Sequence, residues 1–301
     1  MKSVRILWRF SRPHTIIGSV ISIFTLYLIV CGKLETPHLP YLATALAIGI
    51  SCNIFIVGIN QIADIEIDKI NKPELPIPSG VLSANEARLI VYAAAAISLS
   101  LSLLVSIYLF GIVAMAIFVG WAYSMPPIYL KQHHLTAALA ISMVRGVLLN
   151  AGGFMVFNYL VNGSVIMPEN VQILTLFIVV FSIVIAWFKD LPDIEGDRKY
   201  NVKTLAILYS PKTALIAGNL LVGAAYLFTI SIKVIRFRES DPLSAQTSIL
   251  LFGHILLLLL FILNALSIRT NEKAAMIAFY NRFWWFFFAE YVLYLIAYLP
   301  W

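Results

Sequence analysis

Apolar residues in this chain of 301 gather into runs at roughly 15–31, 40–62, 87–108, 111–125, 135–157, 171–189, 211–233, 246–266 and 274–299. Most of these runs are about 18 to 25 residues long, the length a helix needs to cross a hydrocarbon core. Polar positions fall between the runs and do not alternate within them, so the pattern predicts nine helices and no strands. The third and fourth runs are divided only by the LFGI stretch at 109–112. Met125-Pro126-Pro127 closes the fourth, because paired prolines remove donors and clash with the preceding turn. The whole chain, residues 1–301, reads as a single all-α polytopic domain in a lipid bilayer.

Composition agrees with that pattern. The chain is 61% hydrophobic and 12% charged, about half the charge of an ordinary soluble domain. Its net charge of +6 does not point to nucleic acid, since no basic run is interleaved with aromatics. Nine spans put the N-terminus and the segments near 63–86, 126–134, 190–210 and 267–273 on one side. That side takes all 21 Lys and Arg residues except Lys33, Lys233, Arg236, Arg238 and the intramembrane Arg145, so it is expected to face the cytoplasm. Cys31 and Cys52 have no metal-like spacing and read as small buried residues. The opening MKSVRILWRFSRPHT is basic but lacks a cleavage site after a short apolar core. It is expected to be a mature cytoplasmic start without signal or transit peptide, suiting a bacterial cytoplasmic or thylakoid membrane. Nothing in the sequence reports an oligomeric state.

One acidic phrase is written twice on the busy side: DIEIDK at 64–69 and DIEGDR at 193–198. At 100° per residue Asn60, Asp64 and Asp68 form one stripe at the end of the second span, with Glu66 on another face. Asp190, Asp193 and Asp197 form a similar stripe if the helix continues past Pro192 and Gly196. Aspartates grouped this way repel each other, most of all where water is scarce, and need a cation. Short hard carboxylates suit Mg²⁺, which binds through a few of them together with substrate phosphates. Two such walls across a cavity would hold two or more Mg²⁺ ions with a diphosphate between. Lys69, Lys72, Lys189, Arg198 and Lys203 around the phrases suit a departing diphosphate. An ordinary charged loop would explain one phrase but not a repeated aspartate register.

NQIADIEID at 60–68 and KDLPDIEGD at 189–197 resemble the paired signatures of the UbiA-type intramembrane prenyltransferases. Gln61 and the Lys189-Asp190 opening are most similar to the homogentisate prenyltransferase branch of tocopherol and plastoquinone synthesis. WRFSRPHTIIGS at 8–19, DKINKPELPIPSG at 68–80, AYSMPPIYLK at 122–131, VRG at 144–146 and FAEYVLY at 288–294 extend the likeness along the chain. The resemblance implies nine transmembrane helices around a central cavity with cytoplasmic capping loops. It also implies a Mg²⁺-dependent reaction, in which an allylic diphosphate ionises and an electron-rich ring captures the cation. In the homogentisate branch the acceptor loses its carboxylate as CO₂. Asp64, Asp68, Asp193 and Asp197 are then the catalytic carboxylates, and Asn60 and Asp190 join them as metal ligands. Lys72, Tyr123, Lys131, Lys189, Arg198 and Lys203 are the expected diphosphate contacts.

An acidic acceptor also needs a cationic anchor. Arg12 and His14 stand at the cytoplasmic end of span one. Arg145 lies inside span five, where an unpaired cation is costly; it serves either the acceptor or a buried structural partner. Asn150 is a similar, weaker case. Glu290 either pairs with a buried base or is protonated. His133 and His134 are expected in a solvated loop, and the aromatics of span nine are expected to pack or to belt the interface. Alternatives from the sequence are another acceptor (4-hydroxybenzoate, dihydroxynaphthoate, chlorophyllide or a lipid alcohol) or a cation-coupled transporter.

Overall fold

The computed structural model describes residues 2–32, 39–239, 244–268 and 272–299. Lys33 and Arg269, two charges in the orientation argument, lie outside the described residues. Eight described helices are long and apolar enough to cross a bilayer. They are α2 (Pro13–Cys31), α3 (Leu39–Ala63), α5 (Ala84–Val105), α6 (Ile107–Ser124), the composite of α7 (His134–Ser142) and α8 (Gly153–Asn162), α9 (Glu169–Lys189), α12 (Pro211–Glu239) and α13 (Ala245–Leu266). A ninth long helix, α14 (Lys273–Ala297), packs against α2, α9 and α13. Ten of its 25 residues are Phe, Tyr or Trp, and Arg282 and Glu290 interrupt its apolar length. Short helices α1 (Lys2–Phe10), α4 (Ile65–Asn71), α10 (Ile194–Lys199) and α11 (Leu205–Leu208) complete the fold.

Two boundaries differ from the sequence pattern. The break between α5 and α6 falls at Ser106 and not within 109–112. Ser106 is extended (φ −169°, ψ 141°) and its hydroxyl accepts from Tyr108 N–H, so a capping side chain decides the break. Gly111 is carried inside α6. Span five is longer than 135–157, and between α7 and α8 it carries a π-helical segment, Met143–Gly152. Such segments change the direction in which side chains project and often mark functional positions. Arg145 lies in this one.

The outward faces identify the solvent. Leu104 is 82% exposed, Leu220 69% and Leu263 64%, a continuous apolar skin that water would not tolerate and lipid does. The multi-pass reading therefore stands. Inside, one aromatic core joins α2, α9 and α12–α14, with Phe181 and Phe283 stacked at 4.3 Å. A second joins α1, α3 and α5 through Phe10, Phe55, Ile59 and Val91. Between the two cores the helices part around a cavity. On the flank away from it, Glu290 pairs with His254 at 2.9 Å, both fully buried, so of its two readings pairing holds.

Candidate active site

Both acidic phrases fold alike: a span, a sharp residue, then a short helix. Asp64 (φ −101°, ψ 15°) and Asp193 (φ −101°, ψ 4°) adopt nearly the same sparsely populated backbone. In the first phrase the helical ladder crosses the break, with Asp64 N–H on Asn60 O at 2.9 Å and Asp68 N–H on Asp64 O at 2.7 Å. The stripe of Asn60, Asp64 and Asp68 therefore persists. In the second, α9 ends at Asp190 and the chain turns through Leu191-Pro192 before α10. A continuous helix over 190–197 does not form, because Pro192 has no N–H to donate. Asp190, Asp193 and Asp197 nevertheless line the same basin as Asp64 and Asp68.

The two walls are pinned by a residue that the sequence reading missed. Asn71 Oδ1 accepts from Gly196 N–H at 2.9 Å, and Asn71 Nδ2 donates to Asp197 Oδ1 at 3.4 Å. A Cβ at position 196 would stand 2.7 Å from the Asn71 amide, so only glycine permits this approach. Gly196, where the first phrase has Ile67, was the available signal: a glycine inside a helical pattern marks close backbone contact.

The basin encloses about 650 Å³. Besides the five aspartates, Arg9, Arg12, Lys72, Lys131, Lys189 and Lys273 line it. Lys72, just after the first phrase, pairs with Asp193 of the second, Lys131 pairs with Asp64, and Lys189 meets Asp190 at 2.6 Å. Lys273 donates to the Asn71 carbonyl at 3.2 Å. Among the described residues no three carboxylate, His or Cys side chains converge on one point; the acids face one another across the basin, capped by lysines. Two carboxylate oxygens, Asp68 Oδ2 and Asp193 Oδ1, are buried without a hydrogen-bond partner. Burial pushes Asp68 up to about 6. Burial, with Asp190 and Asp193 nearby, pushes Asp197 up to about 8. Hard oxygens with unused lone pairs, held where ionisation is costly, fit a hard divalent cation.

Below the basin lies an apolar chamber of about 240 Å³, walled by α2, α3, α6, the π segment, α8, α9 and α14. Arg12, His14, Asn60, Tyr123, Lys189 and Tyr280 line both spaces and form the junction. Lys189 lies 5.8 Å from the Tyr123 ring. His14 lies 4.9 Å from Trp284. Arg145 enters the chamber with its guanidinium over Trp284 and Phe287, at 5.0 and 5.3 Å. Among the described residues it has no ion-pair partner, and its Nε is buried without a hydrogen bond. Of its structural alternatives, a buried acid or backbone carbonyls, the acid is not found among the described residues.

Other expected residues fall elsewhere. Arg198 and Lys203 are exposed and line neither space. Arg198 projects from the outer side of α10, and the backbone of Lys203 bonds to Gln132 and His134. Asn150 is closed into a buried pair, donating to Arg145 O at 2.7 Å and accepting from Tyr291 Oη at 2.8 Å. His134 is buried, not solvated, because the 203 backbone covers it. In span nine, Phe279 and Phe283 are core and Trp285 faces lipid, but Tyr280 and Trp284 line the chamber. Lys69 pairs with Glu66 on the outer face at 2.7 Å.

An apolar chamber inside a membrane, roofed by carboxylates and bases, defines an intramembrane enzyme for substrates with a charged head and an apolar tail. The chain belongs to the UbiA prenyltransferase family, whose sequence profile matches residues 20–287, and it is accordingly an enzyme that transfers prenyl groups. It is 35% identical to the homogentisate phytyltransferase of Synechocystis sp. (strain ATCC 27184 / PCC 6803 / Kazusa), over 99% of this chain and 96% of that one. It is 34% identical to the chloroplastic homogentisate solanesyltransferase of Arabidopsis thaliana, over 95% of this chain and 75% of that one. Its fold is that of a UbiA homologue from Archaeoglobus fulgidus solved with GPP and Mg²⁺, with a TM-score of 0.64, 16% identity, and coverage of 97% and 99%.

Proposed function

We propose that the protein transfers a prenyl group from its diphosphate to homogentisate, with loss of CO₂, giving a methyl-prenyl quinol of the tocopherol or prenylquinone type. One observation carries the reading: two aspartate walls, each capped by lysines, stand over a water-poor apolar chamber that contains an arginine with no ion-pair partner among the described residues. Asn60, Asp64, Asp68, Asp190, Asp193 and Asp197 would hold Mg²⁺, which when bound would supply positive charge to offset that of the departing diphosphate. Lys72, Lys131 and Lys189 already shield the carboxylates, and they are within reach of phosphate oxygens that enter the basin. The donor C–O bond then breaks with its electron pair leaving on diphosphate. Tyr123, Tyr280 and Trp284 present ring faces at the junction, where an allylic cation is favoured, and the apolar walls below exclude water that would quench it.

For the acceptor, Arg12 and Arg145 are the available cations on the chamber side, and His14 with Trp284 offers a surface for a ring. A ring carbon forms the new C–C bond and gives up its proton. The acetate substituent loses CO₂, and its electron pair takes a proton to leave a methyl group. Identity of 35% and 34% to two homogentisate enzymes supports this acceptor. The basic rim supports an orientation with the basin toward the cytoplasm, in a cytoplasmic or thylakoid membrane.

The test is product analysis by mass spectrometry. Membranes containing the protein receive homogentisate, Mg²⁺ and an equal mixture of geranylgeranyl, phytyl and solanesyl diphosphates. A decarboxylated prenyl quinol that disappears with EDTA is expected. No quinol from demonstrably folded protein would remove homogentisate as acceptor, and an EDTA-insensitive product would remove the metal.

A further inference from the structure

The chamber ends in a definite floor, and beyond the floor lies a second apolar void. Ala45, Leu109 and Phe157 line both spaces. All three are buried, and the Phe157 ring is braced edge-on by Tyr27 at 6.0 Å. The void itself is small, about 10 Å³, and reaches Tyr41, Val105 and Val161 toward the opposite membrane face. The floor is thus one layer of side chains thick, set at a fixed depth between two apolar spaces.

That depth can be read along the helices. From Tyr123 at the junction to Leu109 at the floor, α6 advances fourteen residues, or about 21 Å. Along α3 the interval from Asn60 to Ala45 gives about 22 Å. A prenyl chain has four backbone bonds per isoprene unit, and an extended chain advances about 1.15 Å per bond. A C20 tail therefore spans about 18 Å, a C15 tail about 14 Å and a C45 tail about 41 Å. With its diphosphate in the basin, a C20 tail ends about 3–4 Å above the floor, within van der Waals reach of its side chains, and a C15 tail ends about 7–8 Å above it. A C45 tail has no room unless the floor is removed or the chain leaves between helices.

We propose that Ala45, Leu109 and Phe157 form a length gate for the donor tail, which selects a C20 prenyl diphosphate by letting its terminal isoprene unit rest on the floor. The proposal rests on the prenyl-transfer reading but not on the identity of the acceptor. Lengthening past C20 drives the terminal methyls into Phe157, whose ring is held by Tyr27. Shortening leaves the lower chamber unfilled and forfeits apolar contact.

Binding of non-ionising thiolodiphosphate analogues with C15, C20, C30 and C45 tails tests the gate without turnover. Wild-type protein in nanodiscs with Mg²⁺ is expected to bind the C20 analogue about tenfold or more tightly than C15, C30 or C45. Phe157→Ala and Leu109→Ala open the floor into the void, and should raise C30 affinity relative to C20 by about tenfold. Ala45→Leu raises the floor and should move preference toward C15 by a similar factor. Opposite shifts from these variants cannot come from misfolding. A flat profile from C20 to C45 in wild type, unmoved by any of the three, would overturn the gate and mean that the tail leaves sideways into lipid. The same preparations are then given homogentisate and the natural diphosphates. A length profile without quinol faults the acceptor alone; quinol with a flat profile faults the gate alone.

Discussion

Gly196→Ala tests whether the two aspartate walls must touch. The added Cβ would lie 2.7 Å from Cγ, Oδ1 and Nδ2 of Asn71, against the 3.5–4.0 Å of a normal contact, so α4 and α10 must separate by roughly 1 Å. That shift breaks the Gly196 N–H to Asn71 Oδ1 bond of 2.9 Å and disturbs the Asn71 contact to Asp197. The stability cost is modest, about 1–3 kcal/mol for overpacking plus about 1 kcal/mol for the bond. Activity should fall further, because an error of about 1 Å in a reacting site can cost about 100-fold in rate. Steady-state kinetics with saturating donor and acceptor should therefore show kcat reduced by about two decades. A second variant isolates the cause. Asn71→Ala loses the bonds but leaves space, so adding Gly196→Ala to it should cost less than a further factor of about three. If the two effects multiply, or if Gly196→Ala alone turns over normally, the contact does not set the geometry of the site.

Asp64→Asn and Asp193→Asn should each reduce turnover at least about 1000-fold, since each removes a carboxylate from one wall. Because Asp64→Asn strands the buried Lys131, the double variant with Lys131→Met should recover thermal stability but not activity, read by melting and product formation. Arg12→Ala should raise the KM for homogentisate about tenfold while changing the donor KM less than twofold; equal effects would remove Arg12 as the acceptor's anchor. Metal-free stability should depend on pH in a defined direction. Asp68 and Asp197 hold protons in the fold up to about 6 and about 8, well above the ordinary carboxylate value. The native state therefore binds more protons than the unfolded chain across that window, and stability falls as pH rises through it. In EDTA the Tm at pH 8.5 should lie below that at pH 5, and Mg²⁺ with diphosphate should narrow the gap. A Tm that rises with pH in EDTA would contradict the burial of these carboxylates.

How much was legible in the sequence depended on the kind of information each residue carries. Run length reports span number, because the bilayer fixes the length of every crossing; among the described residues eight helices are long and apolar enough to cross, and α14 is a ninth long helix. The aspartate register was legible for a related reason: helix periodicity survives the Asp64 break, so Asn60, Asp64 and Asp68 remain one stripe. Periodicity does not survive Pro192, and the second wall is brought round by tertiary contact. Asn71 was invisible because its role is to meet Gly196, 125 positions away. Arg198 and Lys203 show the reverse error, since closeness in sequence to an acidic phrase does not decide which side of a short helix a base occupies. The π segment is equally unreadable from apolar periodicity, and it carries Arg145 into the chamber.

The placement of charge in this protein follows from the depth at which each step must occur. The aspartates of the two phrases and the lysines that pair with them line the basin, where Lys72 links the walls by pairing with Asp193 and Lys131 shields Asp64. Were these acids moved a few turns deeper, their desolvation would exceed what any lysine pair returns. Were the basin moved outward into water, a cation formed at its base would be quenched. The junction of Tyr123, Tyr280 and His14 is the level at which both demands are met. Polar groups above it can compensate a departing diphosphate, and apolar groups below it can only sort tails by length. Substitutions above the junction should therefore change rate and metal dependence, and substitutions of the apolar residues below it should change donor preference. A variant below the junction, Phe157→Ala for instance, that altered Mg²⁺ dependence without altering donor preference would show that the two levels are not separate.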